Sequence, residues 1–242
     1  MQINRSAIKE RAKTFLKSPF LGVSMGAIAI YLAVTMFGGA IPVVGGFAGI
    51  AAFIYYQNVL RMHYEMEIFN AAPPIKRTFD FDGIWRIIGG RLWAMLKMWP
   101  AYVCYVVGFI VMFFGMFAGA LGGAATESEE TMIIGMLLGM LAGYVLIMAG
   151  AVLMVILNLN YVLTEYILMD NPNMKALDGA NLSKTMMKGH KGEWFVMILS
   201  FLGWDILTAM TFGILSIYTT PYKLHTFAGY YNAIKANYNP MA

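Results

Sequence analysis

His63 and Glu67 stand four residues apart, with Glu65 between them and Asp80 and Asp82 further on. On a helix, that spacing puts an imidazole and a carboxylate on one face, as an acid–base pair or two ligands of a metal would need. A catalytic zinc site takes three protein ligands, and the chain has no His-Glu-x-x-His pattern, so a solvated helix end is the simpler account and no metal is expected. His190 and His225 sit among lysines and tyrosines, without a carboxylate and nucleophile at a telling spacing. The sequence also lacks a Gly-x-Ser-x-Gly elbow and a phosphate-binding loop, which removes support for acyl transfer and nucleotide-driven chemistry. No catalytic residue and no cofactor are expected.

Three other groups of residues invite a role. Asp205 is the one acidic residue well inside an apolar stretch, so it is a candidate for binding a proton, a cation or a cationic group, with Asn158 and Asn160 as candidate partners in a polar cavity. Lys188, His190 and Lys191 suit a lipid phosphate at a membrane face. Gly115, Gly119 and Gly123 are spaced by four, as are Gly135, Gly139 and Gly143. Each triplet lines one helix face, the pattern of a glycine zipper. Close packing of small residues is what holds helices together in lipid, either within the chain or between copies of it.

The elements that would carry these residues follow from hydropathy. Ser18–Leu60, Met98–Thr126 and Thr131–Thr164 contain no Asp, Glu, Lys or Arg, in a chain of 242 residues that is 60% hydrophobic with a mean hydropathy of +0.64. A membrane-crossing helix needs about 20 largely apolar residues. The expected fold is therefore an all-α polytopic transmembrane helix bundle forming a single membrane domain. About five spans are expected, near residues 19–37, 47–61, 100–123, 132–163 and 194–218.

Within that frame, residues 1–17 read as an interfacial amphipathic helix, with Ile8, Ala12, Phe15 and Leu16 on its apolar face. Ser18 and Pro19 would start span one, and Gly38 to Gly46, with Pro42, would separate spans one and two. The polar connector from Arg61 to Lys97 contains a second interfacial helix. The acidic loop Thr126–Thr131 turns the chain, Asp170-Asn171-Pro172 stops span four, and residues 222–237 form an amphipathic tail.

Basic residues gather in the N-terminal arm, in the Arg61–Lys97 connector and in the Glu165–Glu193 connector, which would put all three in the cytoplasm with the N-terminus. Five spans put the tail outside; a broken last segment, hinged near Trp204-Asp205, would return it to the inside. The net charge of +4 is small and scattered, which argues against nucleic acid. The lone cysteine, Cys104, excludes an internal disulfide. Expected partners are membrane lipids, another membrane protein or a second copy of the chain.

The last third carries a longer pattern. It runs Ser183-Lys184-Thr185-Met186-Met187-Lys188-Gly189-His190-Lys191, then Leu199-Ser200-Phe201-Leu202-Gly203-Trp204, Thr211-Phe212-Gly213-Ile214, and finally Pro221-Tyr222, Thr226, Ala228 and Tyr230-Tyr231. Over about Tyr166 to Tyr231 this resembles the bacterial multi-pass membrane family labelled domain of unknown function 975. Asp170-Asn171-Pro172 and the N-terminal Ile8-Lys9-x-x-Ala12-Lys13 also fit.

The resemblance implies an all-helical protein of the bacterial cytoplasmic membrane and no reaction. Members usually break span four at an Ile-Pro-Gly, whereas Val155-Ile156-Leu157-Asn158 stands here, so a straighter span four is expected. Physically, Gly189 suits a left-handed residue after a helix, and Pro221 suits the start of the tail helix. The leading functional expectation is a non-enzymatic accessory or structural subunit working with a partner. The alternatives are a small transporter or immunity-type exporter of an amphipathic substrate, built around Asp205, and a lipid-modifying enzyme using His63, Glu67, Asp80 and Asp82.

Overall fold

The computed structural model describes residues 3–17, 20–38, 42–71 and 73–238. The Ser18–Pro19 helix start and the Gly39–Ile41 part of the expected break lie outside the described residues. Every regular element among those described is helical: α1 (Arg5–Leu16), α2 (Leu21–Gly38), α3 (Pro42–Phe69), a 3-10 turn (Ile75–Phe79), α4 (Ile84–Lys97), α5 (Trp99–Thr126), α6 (Glu129–Tyr161), α7 (Thr164–Asp170), α8 (Ala176–Met186), α9 (Lys191–Leu199), α10 (Leu202–Met210) and α11 (Ser216–Asn237). They form two compact units, one of Leu92–Tyr161 and one of Met1–Arg91 with Val162–Ala242.

The smaller unit is built on the α5–α6 hairpin. Glu127, in the left-handed region at φ 50°, closes α5, and the Ser128 amide returns to the Gly123 carbonyl at 3.1 Å. That is the bond of a Schellman ending. Ser128 then caps α6, its hydroxyl accepting from the Thr131 amide at 3.2 Å. The acidic loop thus reverses the chain within three residues. Outward-facing Val106, Phe109, Phe113, Phe117, Leu137, Leu141, Val145 and Val152 leave the hairpin apolar on its exposed side. Helix α6 runs unbroken through Val155–Asn158.

The larger unit has a different character, because its interior is partly polar. Gln57, Asn58, His63 and Glu67 of α3 are buried, together with Ser24, Thr164, Glu165, Ser183, Thr219, His225 and Thr226. An apolar cluster of Ile84, Ile87, Ile88 and Leu168 joins α4 to α7. Arg86 fastens the end of α7 by donating to the carbonyls of Leu168, Asn171 and Met174 at 2.7–3.0 Å.

Three helical stretches are long and apolar enough to cross a membrane: Trp99–Thr126, Glu129–Asp170 and Lys191–Met210. A fourth is added if the bent pair α1 and α2 is counted as one span. Three to four such stretches are therefore counted among the described residues, where the hydropathy suggests about five. The expected span at 47–61 is part of the longer α3, and α3 is not among the spanning stretches. Its second half brings Gln57, Asn58, Arg61, His63, Glu65 and Glu67 into one helix.

The end of the chain departs most from expectation. The stretch 194–218 is not one helix. Ser200, whose hydroxyl bonds back to the Met197 carbonyl, ends α9, and this back-bonding is a known bender of helices. Phe212 and Gly213, at φ 50° and 86°, then end α10 with the Gly213 amide on the Thr208 carbonyl at 2.8 Å. The breaks flank Trp204-Asp205 instead of falling on it.

Helix α11 follows at once, starting at Ser216, so Pro221 lies inside it. Nor is α11 a surface tail. Pro221, Tyr222, Leu224, His225, Thr226, Ala228, Tyr230, Tyr231 and Ile234 are all buried, and the helix packs against α1, α2 and α3. Its burial nearly all round is why an amphipathic reading fails. Helices α1 and α11 lie together. The apolar face of α1 is likewise covered by protein: Ala12, Phe15 and Leu16 are buried.

Candidate functional site

Helix α11 gathers carboxylates from four earlier segments. Lys223 pairs with Asp205 of α10. His225 Nδ1 lies 3.8 Å from Glu67 Oε2 of α3. The Tyr230 hydroxyl donates to Glu193 of α9 at 2.9 Å, and the Tyr231 hydroxyl to Asp170 of α7 at 3.1 Å. Lys235 and the Tyr64 hydroxyl reach the same Asp170 at 2.5 and 3.2 Å. Burial and the Asp170 charge hold the phenols of Tyr64 and Tyr231 well above the ordinary tyrosine range, so both stay protonated as donors.

The most enclosed of these pairs is the candidate site. His63, Glu67 and His225 are each nine-tenths or more buried. The i, i+4 spacing of His63 and Glu67 turns both toward α11, where the His225 ring meets His63 edge-on at 5.1 Å between centroids and stacks on Phe15 of α1 at 4.5 Å. Arg11, also from α1, donates from Nε to Glu67 Oε1 at 2.9 Å and from Nη2 to the Glu67 carbonyl at 3.3 Å. His63 Nδ1 is 2.8 Å from the Val59 carbonyl, so this nitrogen carries the proton and Nε2 is left as an acceptor.

Three atoms at the centre have no hydrogen-bond partner among the described residues: His63 Nε2, Glu67 Oε2 and His225 Nδ1. Beside Glu67 is a cavity of about 310 Å³, lined by Ala7, Ile8, Arg11, Glu67, Gly229, Asn232 and Ala233.

Burial, reinforced by the neighbouring His225, pushes the His63 imidazole down from 6.5 to about 3. Between those values the unfolded chain binds the proton and the folded chain does not, so stability falls as pH drops through that window. One such group removes about 2 kcal/mol between pH 7 and pH 5. The expected result is that His63→Asn, which keeps a donor for Val59, loses less melting temperature than the parent over the same pH interval in detergent.

The other sequence candidates disperse. Asp80 and Asp82 do not join His63 and Glu67. They belong to a surface network in which Arg77 pairs with Glu65 at 2.8 Å and with Asp80, and Arg61 donates to the Asp82 carbonyl at 2.8 Å. Residues 63 and 65 point to opposite sides of α3, which separates the two groups.

Asp205 is 50% exposed and salt-bridged to Lys223, so it is not a buried unpaired charge. Asn158 is exposed on α6, while Asn160 is buried with its amide 3.3 Å from the Ile156 carbonyl. His190 lies 3.3 Å from Glu193, Lys188 is exposed and Lys191 half-buried. Gly189 has φ 85°, the left-handed turn its position requires.

The glycines meet within the hairpin. A Cβ at Gly115 would lie 2.6 Å from Gly139 Cα, one at Gly119 would lie 2.3 Å from the Met136 amide nitrogen, and one at Gly123 would lie 2.2 Å from Met132 Cβ. From the other helix, Gly135 faces Gly119, Gly139 faces Gly115, and Gly143 faces Met112 at 2.3 Å.

The sequence offered His63 and Glu67 as a pair and set His225 aside, without joining the three. The only available signal was a histidine lying between Pro221 and Ala228 on the buried stripe of α11. Among the described residues, no group of three or more metal-binding side chains is placed to hold an ion. No match to this chain is found among curated proteins or among solved structures. Residues 4–238 match the family described as protein of unknown function (DUF975), and the Asp170, Tyr230 and Tyr231 positions singled out in the sequence tie α11 to the rest of the larger unit. The chain belongs to that family.

Proposed function

We propose that the protein is a non-enzymatic integral component of the bacterial cytoplasmic membrane, an accessory or structural subunit that works with a partner protein. The observation that supports this best is the outer surface of the α5–α6 hairpin, where large apolar side chains such as Phe109, Phe113, Phe117, Leu137 and Leu141 are exposed along both helices. A surface of that size and polarity belongs against lipid or another apolar helix.

In this reading the six facing glycines act as a glycine zipper that holds the hairpin shut in lipid, where apolar side chains gain nothing by association. The basic arm of α1 lies in the cytoplasm, and α11 beside it keeps Lys223 and Lys235 on the same favoured side. Lys188 and Lys191 contact anionic headgroups, His190 being engaged by Glu193.

The test is extraction of native membranes into lipid nanodiscs, followed by affinity purification of the tagged chain and quantitative mass spectrometry. A membrane fraction that resists alkaline washing, with one protein recovered in stoichiometric amount, is the expected result. Release by alkali, or a chain recovered alone from every preparation, overturns it.

A further inference from the structure

We infer that the cavity between α1, α3 and α11 binds a zwitterionic group carrying a primary ammonium and a phosphate, of the phosphoethanolamine type. Glu67 sets the requirement. Its carboxylate is 3% exposed and needs a cation beside it, whereas its present partner, Arg11, is 60% exposed and is easily satisfied elsewhere. Leaving a buried carboxylate unpaired is strongly unfavourable, so an anion that drew Arg11 away without replacing it would be rejected.

A zwitterion resolves this by exchange. Its phosphate takes the Arg11 guanidinium, whose fork of donors fits phosphate oxygens, and its ammonium replaces Arg11 at Glu67. Charge balances before and after.

Other features of the cavity select the same chemistry. Glu67, which lines the cavity, has in Oε2 a buried acceptor without a donor, and a primary ammonium offers three donors and no acceptor. The Asn232 amide adds a polar group to the wall, while Ala7, Ile8 and Ala233 suit the methylenes between the two charges. The volume of about 310 Å³ is at the small end for ligand sites and fits a headgroup rather than a whole amphiphile. Gly229 keeps the space open. A Cβ there would come 3.1 Å from Ile8 Cγ2 and 3.6 Å from Glu67 Oε1, into the passage between α1 and the carboxylate.

The experiment uses the full chain purified in a detergent without phosphate or amine, titrated by calorimetry with O-phosphoethanolamine, phosphocholine, ethanolamine and inorganic phosphate. Phosphoethanolamine should bind, and phosphocholine, equal in charge but without N–H donors, should bind at least tenfold more weakly, as should ethanolamine and phosphate alone. Native mass spectrometry from nanodiscs with and without phosphatidylethanolamine identifies the source. Retention of that lipid without binding of the free compound assigns the site to a lipid headgroup, and binding of both assigns it to the headgroup chemistry from either source.

Gly229→Ala should lower the affinity at least tenfold while the melting temperature stays level or rises, since alanine favours the helix. Glu67→Gln should abolish binding. Equal binding of phosphocholine, undiminished binding to a folded Gly229→Ala variant, or no binding of either the free compound or the lipid overturns the proposal.

Discussion

Gly119→Ala should destabilise the α5–α6 hairpin, and Gly122→Ala, three residues away on the same helix, should not. The two substitutions are chemically identical, and alanine is the better helix former by about 1 kcal/mol. Their surroundings differ. The new methyl at 119 would lie 2.3 Å from a backbone nitrogen of α6, which cannot swing aside as a side chain can, whereas the methyl at 122 meets nothing within 4 Å. Forcing the helices apart costs about 1–3 kcal/mol by the usual measure of overpacking, and it also removes the close contact that lipid-embedded helices rely on. Gly139→Ala, with its Cβ 2.3 Å from Gly115, should behave like Gly119→Ala. Disulfide trapping between cysteines placed on the two helices, with thermal melts in detergent, reads both effects. Equal behaviour of the 119 and 122 variants would mean that the seam does not hold the hairpin.

Trp194→Ala should produce the largest loss in the other unit, about 3–5 kcal/mol, the range for removing a large buried aromatic side chain. Trp194 is among the largest fully buried side chains, stacked on Phe227 at 5.3 Å and edge-on to Tyr230 at 5.1 Å. It is therefore the apolar wedge between α9 and α11. Its indole nitrogen has no partner, so the loss is of packing and not of a hydrogen bond. Trp194→Phe, which keeps a ring against Phe227, should lose clearly less, and the ordering of the two variants in a denaturation series in detergent tests the assignment. Because Tyr230 also donates to Glu193, the residue before Trp194, the alanine variant should loosen that bond as well.

The hairpin was legible in the sequence because everything that makes it is local. Two uncharged runs, a short acidic loop and glycines repeated every four residues specify a pair of antiparallel helices with their small residues inward. A broken last apolar stretch was one of two readings, hinged near Trp204-Asp205, but the actual breaks at Ser200 and Phe212-Gly213 were not legible, since a left-handed Phe212 has no propensity to announce it.

Helix α11 shows the other limit. Leu224, Phe227, Ala228, Tyr231 and Ile234 suggested one apolar face of a surface helix, whereas the helix also carries Lys223, His225 and Tyr230. Those polar groups are enclosed because their partners arrive from Glu67, Asp170, Glu193 and Asp205, and no local spacing reveals a contact with a residue so distant in the chain. The same holds for the candidate site. His63 and Glu67 were visible as a pair, but His225 and Arg11, which complete it, come from opposite ends of the sequence.

That placement of α11 has a consequence for how the protein is made. The hairpin closes on itself and can assemble as soon as α6 leaves the ribosome, its ends being neighbours in the chain. The larger unit has no such freedom. Glu67, Asp170, Glu193 and Asp205 are all synthesised before the helix that pairs with them, so its polar interior stays open until α11 (Ser216–Asn237) has emerged. Assembly in two stages is therefore expected, with the hairpin closing early and the polar core completed only once α11 is available. A nascent chain stalled before Ser216 should carry a closed hairpin and an unassembled remainder, an obligate client for whatever machinery shields such intermediates at the membrane.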